Sequence, residues 1–302
     1  MTVYDLKTMQ ICEIRESTVV ALGFFDGCHA GHQAVFESCK ALARKMSAKS
    51  AVYTFSALPK SKDAKCIFSL DERIKAIRKS GIDYLCIEDF EQVMNLNATE
   101  FLDGVLCGNL RAVGACCGFN FRFGKGAAAN ASDLANFFQN RGGCVNICDK
   151  ILYSGNPLSS SLLRSFIEKG ELEALCEVAN PYSIYAIVEH GKELGRTIGI
   201  PTINQKIPQG KISPAHGVYI TECEIGEDVY PSITNVGVRP SVETDGYENM
   251  ETHIIGFNGN LYGSGVRVNF YKKIRDEKKF DSIELLKEEI EKNICAAIEF
   301  FK

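Results

Sequence analysis

The sequence lacks the features that would place a chain in a membrane or on nucleic acid. No apolar stretch reaches the length of about 18 residues that a membrane-spanning helix requires. Lysine and arginine number 34 and aspartate and glutamate 38, giving a formal charge of −4, and no polybasic run offsets it. This balance argues against a protein whose main task is to hold nucleic-acid phosphates. The first residues also lack the basic and then apolar pattern of a signal peptide, so we expect a cytoplasmic protein.

A disulfide framework and a zinc site are not indicated either, although the chain has 13 cysteines. Their number is odd, most lie in apolar segments, and no CxxC pair occurs. Cys144 and Cys148 are four residues apart, but no histidine or second cysteine pair completes a zinc-binding set. We expect reduced cysteines that act as small core residues in a reducing compartment.

What the sequence does contain, over residues 17–150, is an alternation of apolar runs and helical periods. Capping-box sequences begin two of the predicted helices, at Ser69 and Asn97. The alternation predicts a parallel sheet covered by helices on both faces, with ligands bound beyond the carboxyl ends of the strands. The first predicted strand, residues 18–22, is a continuous apolar run and is expected to be buried, and the other predicted strands are residues 51–55, 84–87, 112–117 and 144–148.

The pattern changes at Asn180 and Pro181, after two helical segments within residues 159–179. Short β-rich segments separated by glycine, proline and asparagine follow, and they predict an antiparallel barrel or sandwich. One helix closes the chain, and we expect two domains, residues 1–180 and 181–302. The apolar stripe predicted for that helix consists of Ile283, Leu286, Ile290, Ile294, Ala297 and Phe301.

The first run of residues that could carry chemistry, from Gly23 to His32, lies between the first predicted strand and the first helix. A helix N-terminus presents free N–H groups and the positive end of the helix dipole, so it binds phosphate well. His29 and His32 are three residues apart, so both imidazoles can face one point and stabilise charge during phosphoryl or nucleotidyl transfer. The chain has five histidines, and two placed together here favour function over a glycine-rich turn with solvated side chains. The P-loop pattern is absent.

The second run lies in the β-rich half, at Thr202, Asn204 and Glu251. Thr202 and Asn204 alternate, so in extended chain they share a face, and their oxygens suit Mg²⁺ held mainly by nucleotide phosphates. A strand-edge threonine and asparagine without a metal is an equally good interpretation of these two residues alone. A carboxylate such as Glu251 beside Mg²⁺-ATP can accept the proton of an alcohol that receives the γ-phosphoryl group. His253, two residues on, is interpreted as structural.

These segments resemble the motifs of the bifunctional riboflavin kinase/FAD synthetase family. GFFDGCHAGHQ (residues 23–33), GFNFRFGK (118–125) and LSSSLLR (158–164) are similar to motifs of its adenylyltransferase half. PTIN (201–204) resembles the Pro-Thr-Ala-Asn motif of its riboflavin kinase half. Further segments at residues 213–219, 235–240, 261–263 and 275–280 follow in the family's order, so the resemblance covers nearly the whole chain.

The resemblance implies an α/β, nucleotidyltransferase-type, Rossmann-like N-terminal domain and a riboflavin-kinase-like β-barrel with a closing C-terminal helix. It implies phosphorylation of riboflavin to FMN and adenylylation of FMN to FAD, with ATP as co-substrate and Mg²⁺ as the metal. The implied roles are catalysis for Glu251, His29 and His32; ATP or phosphate binding for Gly23, Asp26, Gly31, Ser160, Arg164, Gly195 and Arg196; flavin binding for Asn120, Asn235 and Arg275; and Mg²⁺ binding for Thr202 and Asn204.

The sequence departs from the family pattern at Leu58, Ala129 and Ser161, in the adenylyltransferase half. The family usually has a Pro-His-Pro-like element near Leu58, a glycine at Ala129 and a threonine at Ser161. These departures leave open a riboflavin kinase with a weak or inactive adenylyltransferase half. A flavin-binding module or regulator is a third interpretation, against which the retained histidines and Glu251 argue, because binding alone requires no general base.

Overall fold

A computed structural model describes residues 1–6, 14–57, 65–191, 195, 198–239 and 247–302. The chain divides into two compact units, Met1–Ser160 and Ser161–Lys302. The contacts therefore group the two helices that precede Pro181 with the second unit, whereas the sequence pattern puts the boundary after them, at residue 180. No helix within the described ranges is long and apolar enough to cross a membrane.

The first unit alternates strands and helices as the sequence predicts. Its strands are β1 Thr2–Asp5, β2 Thr18–Leu22, β3 Lys49–Phe55, β4 Tyr84–Glu88, β5 Ala112–Gly118, β6 Arg122–Phe123, β7 Ala129–Asn130, β8 Cys144–Cys148, β9 Leu152–Tyr153 and β10 Asn156–Pro157. Its helices are α1 Ala30–Lys45, α2 Leu70–Lys79, α3 Phe90–Val93, α4 Ala98–Glu100 with a π-helical continuation Phe101–Asn109, and α5 Ala131–Gln139. A 3-10 turn spans Lys125–Ala127.

Six of these strands form one parallel sheet in the order β1-β4-β3-β2-β5-β8. The strand order runs outward in both directions from β2, so the gap between β2 and β5 is the point where the direction of winding reverses. Ligands of doubly wound sheets bind at such a point, beyond the carboxyl ends of the strands. The loop that leaves β2, beginning at Gly23, starts there.

The two faces of the sheet are buried against different helices. Val20, Leu22 and Tyr53 belong to the core cluster that includes the π-helix and α5, and Val19 and Val52 to the cluster that includes α1 and α2. Burial on both faces explains why these strands have continuous apolar sequences. The capping boxes predicted at Ser69 and Asn97 are confirmed, with reciprocal backbone and side-chain bonds at each helix start.

The second unit begins with two helices, α6, which runs from Ser160 to Lys169, and α7 Leu172–Val178. Six antiparallel strands follow and form a closed barrel in the order β11-β12-β15-β14-β13-β16. Helix α8, Ile283–Phe300, closes the chain, as the sequence predicts, and the side chain of its N-cap Ser282 accepts a hydrogen bond from Leu285 N. The barrel strands are β11 Tyr182–Glu189, β12 Ile203–Lys206, β13 Gly217–Ile225, β14 Asp228–Arg239, β15 Tyr247–Ile254 and β16 Gly265–Arg275.

Half of the described cysteines are buried, as expected of small core residues, whereas Cys144 and Cys295 are exposed. All twelve described cysteines are free thiols. Cys39, Cys86, Cys116, Cys117 and Cys223 are fully buried among apolar side chains. Burial raises the pKa of Cys117 and Cys223 to about 12, which leaves both thiols protonated and unreactive at neutral pH.

Two candidate active sites

The two histidines of the first unit lie together at the start of α1. Their rings stack with centroids 3.7 Å apart and an interplanar angle of 21°. His29 is the N-cap residue of α1, and His32 lies in its first turn. Neither ring forms a hydrogen bond within the described parts of the chain, and the Nδ1 atom of each is buried. Both rings therefore lie where a helix N-terminus attracts an anion, and the Nε2 atom of each is left for a ligand.

Glycine residues make room for this arrangement. A Cβ atom on Gly31 would lie 3.0 Å from Cε1 and 3.1 Å from Nδ1 of His29, tighter than ordinary contact. A Cβ on Gly23 would lie 3.0 Å from the ring of Phe25, which in turn packs edge-on against His32 at 5.3 Å. Phe25 and Cys28 both have positive φ, of 59° and 40°. Such strained backbone at non-glycine residues is typical of functional loops.

Burial holds both imidazoles neutral in the ligand-free protein. Desolvation lowers the pKa of His29 to about 4, partly opposed by the nearby Asp26 carboxylate. The pKa of His32 lies well below its ordinary value, because of burial and then of the neighbouring His29. Two neutral rings can each donate one N–H to a phosphate oxygen.

Asp26 organises the loop between β2 and α1. Its carboxylate accepts hydrogen bonds from Ile67 N at 3.1 Å and from Phe68 N at 2.8 Å, and it is 1% exposed. Its carbonyl oxygen accepts from the hydroxyl of Ser160 at 2.8 Å. In the structure, Asp26 and Ser160 thus hold three segments together around the histidines, and phosphate contact by either side chain stays a prediction.

Arg73, on α2, is a buried residue of this site that the sequence analysis did not single out. Its Nη1 donates to Phe24 O at 2.9 Å and to the Thr54 hydroxyl at 3.1 Å, and its Nη2 donates to Ser56 O at 3.2 Å. The guanidinium also lies 4.0 Å from the centre of the Phe24 ring. Arg73 therefore fixes the loops that leave β2 and β3. A charged residue at an inward helical position next to Ile74 and Ile77 was the available signal.

The remaining residues predicted for the first site lie in other segments of the chain. Asn120 is exposed just after β5, where its Oδ1 lies near Gly118. Arg164 lies on α6, one turn after Ser160. Ala129 pairs with Phe123 in a short strand and is buried, so alanine fits there as well as glycine. Ser161 is exposed in the first turn of α6, and Leu58 lies outside the described residues.

In the second unit, strand register aligns the predicted site residues in one row. Asn204 pairs with Glu251, Glu251 with Asn235, Asn235 with Val218, and Val218 with Arg275. Residues paired directly across strands point to the same face of a sheet. The row therefore crosses five strands on the outer face of the barrel. The next residue along β15, Thr252, faces the buried interior and hydrogen-bonds Thr234 at 2.9 Å.

A cavity of about 340 Å³ is lined by four residues of this row, Glu251, Asn235, Val218 and Arg275. Its polar wall includes Glu251, His253 and Asn235, and Gly195 and Thr202 also line it. Its apolar wall includes Val218 and Ile233 of the barrel, Leu286 and Ile290 of α8, and Ile200 and Phe280 from the segments that precede β12 and α8. The carboxylate of Glu251 thus faces a space that is apolar on one side and polar on the other, as small-molecule sites usually are.

The polar wall is held by ion pairs and amide contacts. Asn235 Nδ2 donates to Glu277 Oε1 at 3.2 Å. Arg275 Nε lies 3.3 Å from Glu289 Oε1 on α8, and Lys278 Nζ lies 3.1 Å from the same oxygen. His253 Nδ1 is 2.8 Å from Pro201 O, which supports its interpretation as a structural residue. Arg196 lies outside the described residues.

The side chain of Asn204 is suited to act as a metal ligand. It is 5% exposed, and its Oδ1 is buried without a hydrogen-bond partner among the described residues. A neutral amide oxygen with no donor to satisfy it matches the hard oxygen ligands that Mg²⁺ takes, as does the hydroxyl of Thr202, which lines the cavity. The donor set that the sequence predicts, Thr202 and Asn204, therefore fits such an ion.

Comparisons with known proteins agree with both halves of this arrangement. The FAD synthetase family model matches residues 11–162, and the riboflavin kinase family model matches residues 178–301. The bifunctional riboflavin kinase/FMN adenylyltransferase of Bacillus subtilis (strain 168) is 33% identical over 301 residues, covering 96% of this chain and 95% of that protein. The chain belongs to the bifunctional riboflavin kinase/FMN adenylyltransferase family.

Other relatives extend this match. The family member from Escherichia coli (strain K12) is 32% identical over 296 residues, covering 95% of this chain and 94% of that protein. A crystal structure described as a macrolide-efflux protein from Streptococcus pneumoniae superposes with a TM-score of 0.89 at 29% identity, covering 98% of this chain and 99% of that one. This chain thus contains both the nucleotidyltransferase-type α/β domain and the kinase-type barrel with its closing helix.

Proposed function

We propose that this family member phosphorylates riboflavin to FMN at the barrel cavity and adenylylates FMN to FAD at the histidine pair, using ATP in both reactions. The observation that carries the proposal is the row of Asn204, Glu251 and Asn235 across three strands, in which Glu251 and Asn235 line the cavity. In that row the carboxylate of Glu251 is paired across strands with Asn204, whose amide oxygen has no hydrogen-bond partner among the described residues. Phosphoryl transfer to an alcohol uses such a pair of groups, and simple binding does not.

In the kinase reaction, Glu251 accepts the proton of the terminal ribityl hydroxyl of riboflavin as its oxygen attacks the γ-phosphorus of ATP. The new P–O bond gives FMN, and the bond to the β-phosphate oxygen breaks to release ADP. Thr202 and Asn204 would hold Mg²⁺, which supplies positive charge to the phosphates when bound. Gly195 and Arg196 are assigned to ATP, and Asn235 and Arg275 to the flavin side of the same cavity.

In the adenylyl transfer, a phosphate oxygen of FMN attacks the α-phosphorus of ATP, and pyrophosphate leaves. His29 and His32 donate hydrogen bonds to the phosphate oxygens on which charge increases. Gly23 and Gly31 give the phosphates and the rings room, Asp26 positions the loop, and Ser160 and Arg164 bind phosphate from α6. Asn120 is assigned to FMN.

We also place the protein in the cytoplasm, without nucleic-acid or membrane partners. Its substrates, riboflavin, FMN and ATP, are small molecules. The free thiols of all twelve described cysteines support a reducing compartment.

The experiment is a product assay on the full chain. Riboflavin and Mg²⁺-ATP are incubated with the protein, and the flavins are separated by chromatography. FAD, with FMN as an intermediate, is the expected product. Accumulation of FMN without FAD would leave only the kinase, and unchanged riboflavin would overturn the proposal.

A further inference from the structure

Asn293, on α8, carries at the wall of the barrel cavity a buried amide NH₂ group with no hydrogen-bond partner among the described residues. The residue is 3% exposed and lines the cavity that Glu251 also lines. Its Nδ2 is sealed from solvent and forms no hydrogen bond with any described residue. Buried polar groups in folded proteins are nearly always bonded, so this one requires an explanation.

Asn293 occupies a position of α8 at which an apolar side chain would be expected. Leu286, Ile290, Asn293 and Ala297 are spaced by four, three and four residues, so they lie on the same face of α8. Leucine at position 293 would continue the apolar stripe and would not leave an unsatisfied donor. An unsatisfied buried amide destabilises the fold. The site gains from it only if a ligand supplies the missing hydrogen bonds.

The cavity indicates which ligand that is. Its apolar wall suits a flat ring, and Glu251 must face the molecule whose hydroxyl loses a proton. In the proposed kinase reaction that molecule is riboflavin, and the apolar side chains Leu286 and Ile290, which share the face of α8 with Asn293, suit its ring rather than the phosphates of the nucleotide. The pyrimidinedione edge of the flavin ring carries an N3–H between two carbonyl groups. A carboxamide matches this edge, with its oxygen accepting from N3–H and its NH₂ donating to a carbonyl.

We propose that the carboxamide of Asn293 recognises the pyrimidinedione edge of riboflavin and makes the cavity selective for the flavin ring. The inference rests on the proposed kinase function, and it adds a residue outside the motifs of the sequence. The last torsion of an asparagine side chain has a broad energy minimum, so a rotation of the buried amide on ligand binding turns both atoms to the ring. A site that bonds a ligand N–H rejects the analogue that lacks it, because the site's own polar group is then left unpaired.

The test compares riboflavin with N3-methylriboflavin, which lacks the N3–H. Dissociation constants are measured by flavin fluorescence on the full chain, for the unchanged protein, for Asn293→Leu and for Glu291→Leu, an exposed control on the same helix. We expect the unchanged protein and Glu291→Leu to bind the methylated flavin at least about 10-fold more weakly than riboflavin. Asn293→Leu should bind riboflavin about 10- to 100-fold more weakly and should discriminate the two flavins by less than about 3-fold.

Steady-state kinetics complete the test. Asn293→Leu should raise the KM for riboflavin and leave the KM for ATP unchanged. Equal affinity of the unchanged protein for both flavins would overturn the inference, whether or not any variant folds. A variant that raises the KM for ATP alone would also overturn it. The unchanged protein's own formation of FMN is measured alongside, so failure of the kinase function is seen separately from failure of this recognition.

Discussion

The neutral histidine pair makes the ligand-free protein less stable in mild acid. His29 has a pKa of about 4 in the folded chain, and the pKa of His32 is also well below the ordinary 6.5. The unfolded chain binds more protons than the folded chain as pH falls below about 6.5, so stability decreases from there to about pH 4. At pH 5 the effect of His29 alone is about 2 kcal/mol.

Urea unfolding of the unchanged protein and of His29→Asn, followed by circular dichroism at pH 7.5 and 5.0, measures this effect. The unchanged protein should lose more stability between the two pH values than the variant loses. Equal losses would show that His29 is not held neutral by burial. Above pH 6.5 the histidine pair contributes no pH dependence, so the free energies of unfolding of the two proteins should change with pH in the same way.

Gly31 is predicted to be required for the position of His29. A methyl group there would press on the imidazole at 3.0 Å, and the ring must move. A misplacement of about 1 Å can reduce catalysis by about 10²-fold, and the ring here need move only by a few tenths of an ångström. Gly31→Ala should therefore slow FAD formation from FMN by up to about 10-fold, with riboflavin phosphorylation unchanged.

Gly104 provides the matched control, because a Cβ there has no heavy atom within 4 Å. Gly104→Ala should leave both rates as they are. Full FAD synthesis by Gly31→Ala would mean that the His29 ring position does not matter for adenylyl transfer.

At the scale of elements, Arg73 connects α2 to the ends of β2 and β3. Arg73→Met keeps the length of the side chain but removes its hydrogen bonds to Phe24, Thr54 and Ser56. An unsatisfied buried group costs about 1–3 kcal/mol, but Thr54 keeps its bond to Phe24 O and the two carbonyl acceptors are only part-buried, so the first unit should lose about 1–3 kcal/mol of stability. FAD formation should fall with it, and riboflavin phosphorylation should continue.

Arg78→Met, at an exposed position of the same helix, is the control and should change neither stability nor rates. The measurement is denaturant unfolding by circular dichroism together with the two product assays. An Arg73→Met protein as stable as the control would show that the loops are fixed without the guanidinium.

The sequence predicts the buried strands of the first unit well, because strands covered on both faces have continuous apolar sequences. It does not predict β12, whose residues Asn204 and Gln205 are polar and yet buried. That strand exists because it pairs with β11 and β15, and long-range pairing has no local sequence signal. On α8, Ile283 was expected to face inward but is 54% exposed, because the covered part of the helix begins later.

The residues of the two candidate sites also differ in how far the sequence alone predicts that they lie together. His29 and His32 could be predicted together because they are neighbours in one helical turn. The alignment of Asn204, Glu251 and Asn235 depends on the register of three strands that are far apart in the sequence. A motif identifies such residues one at a time, and only the register shows that they share a face.

At the scale of the whole molecule, the kinase half is predicted to fold by itself. A fragment of residues 182–302 contains all strands of the closed barrel and α8, and it should phosphorylate riboflavin without making FAD. A fragment of residues 161–302 should be the more stable of the two. Ala215 N bonds Ile167 O at 3.2 Å, and Lys272 pairs with Glu173 at 2.8 Å, so α6 and α7 pack on the barrel.

Each apolar side chain that these helices bury adds about 1.5–3 kcal/mol, so the difference in thermal stability should be easily measured by circular dichroism. An insoluble shorter fragment with a soluble longer one would place the functional boundary near residue 160 instead of 180. Two insoluble fragments would mean that the barrel requires the first unit.

The central claim is that two chemistries occupy two separate sites, and a pair of variants assayed for both reactions tests it most directly. Glu251→Gln keeps the shape of the side chain but cannot accept a proton, so FMN formation should fall by about 10²–10⁴-fold. His32→Ala removes a donor from the other site and should lower FAD formation by about 10²–10³-fold. Each variant should keep the other reaction at the rate of the unchanged protein. Loss of FAD formation from supplied FMN in a folded Glu251→Gln protein would contradict the account.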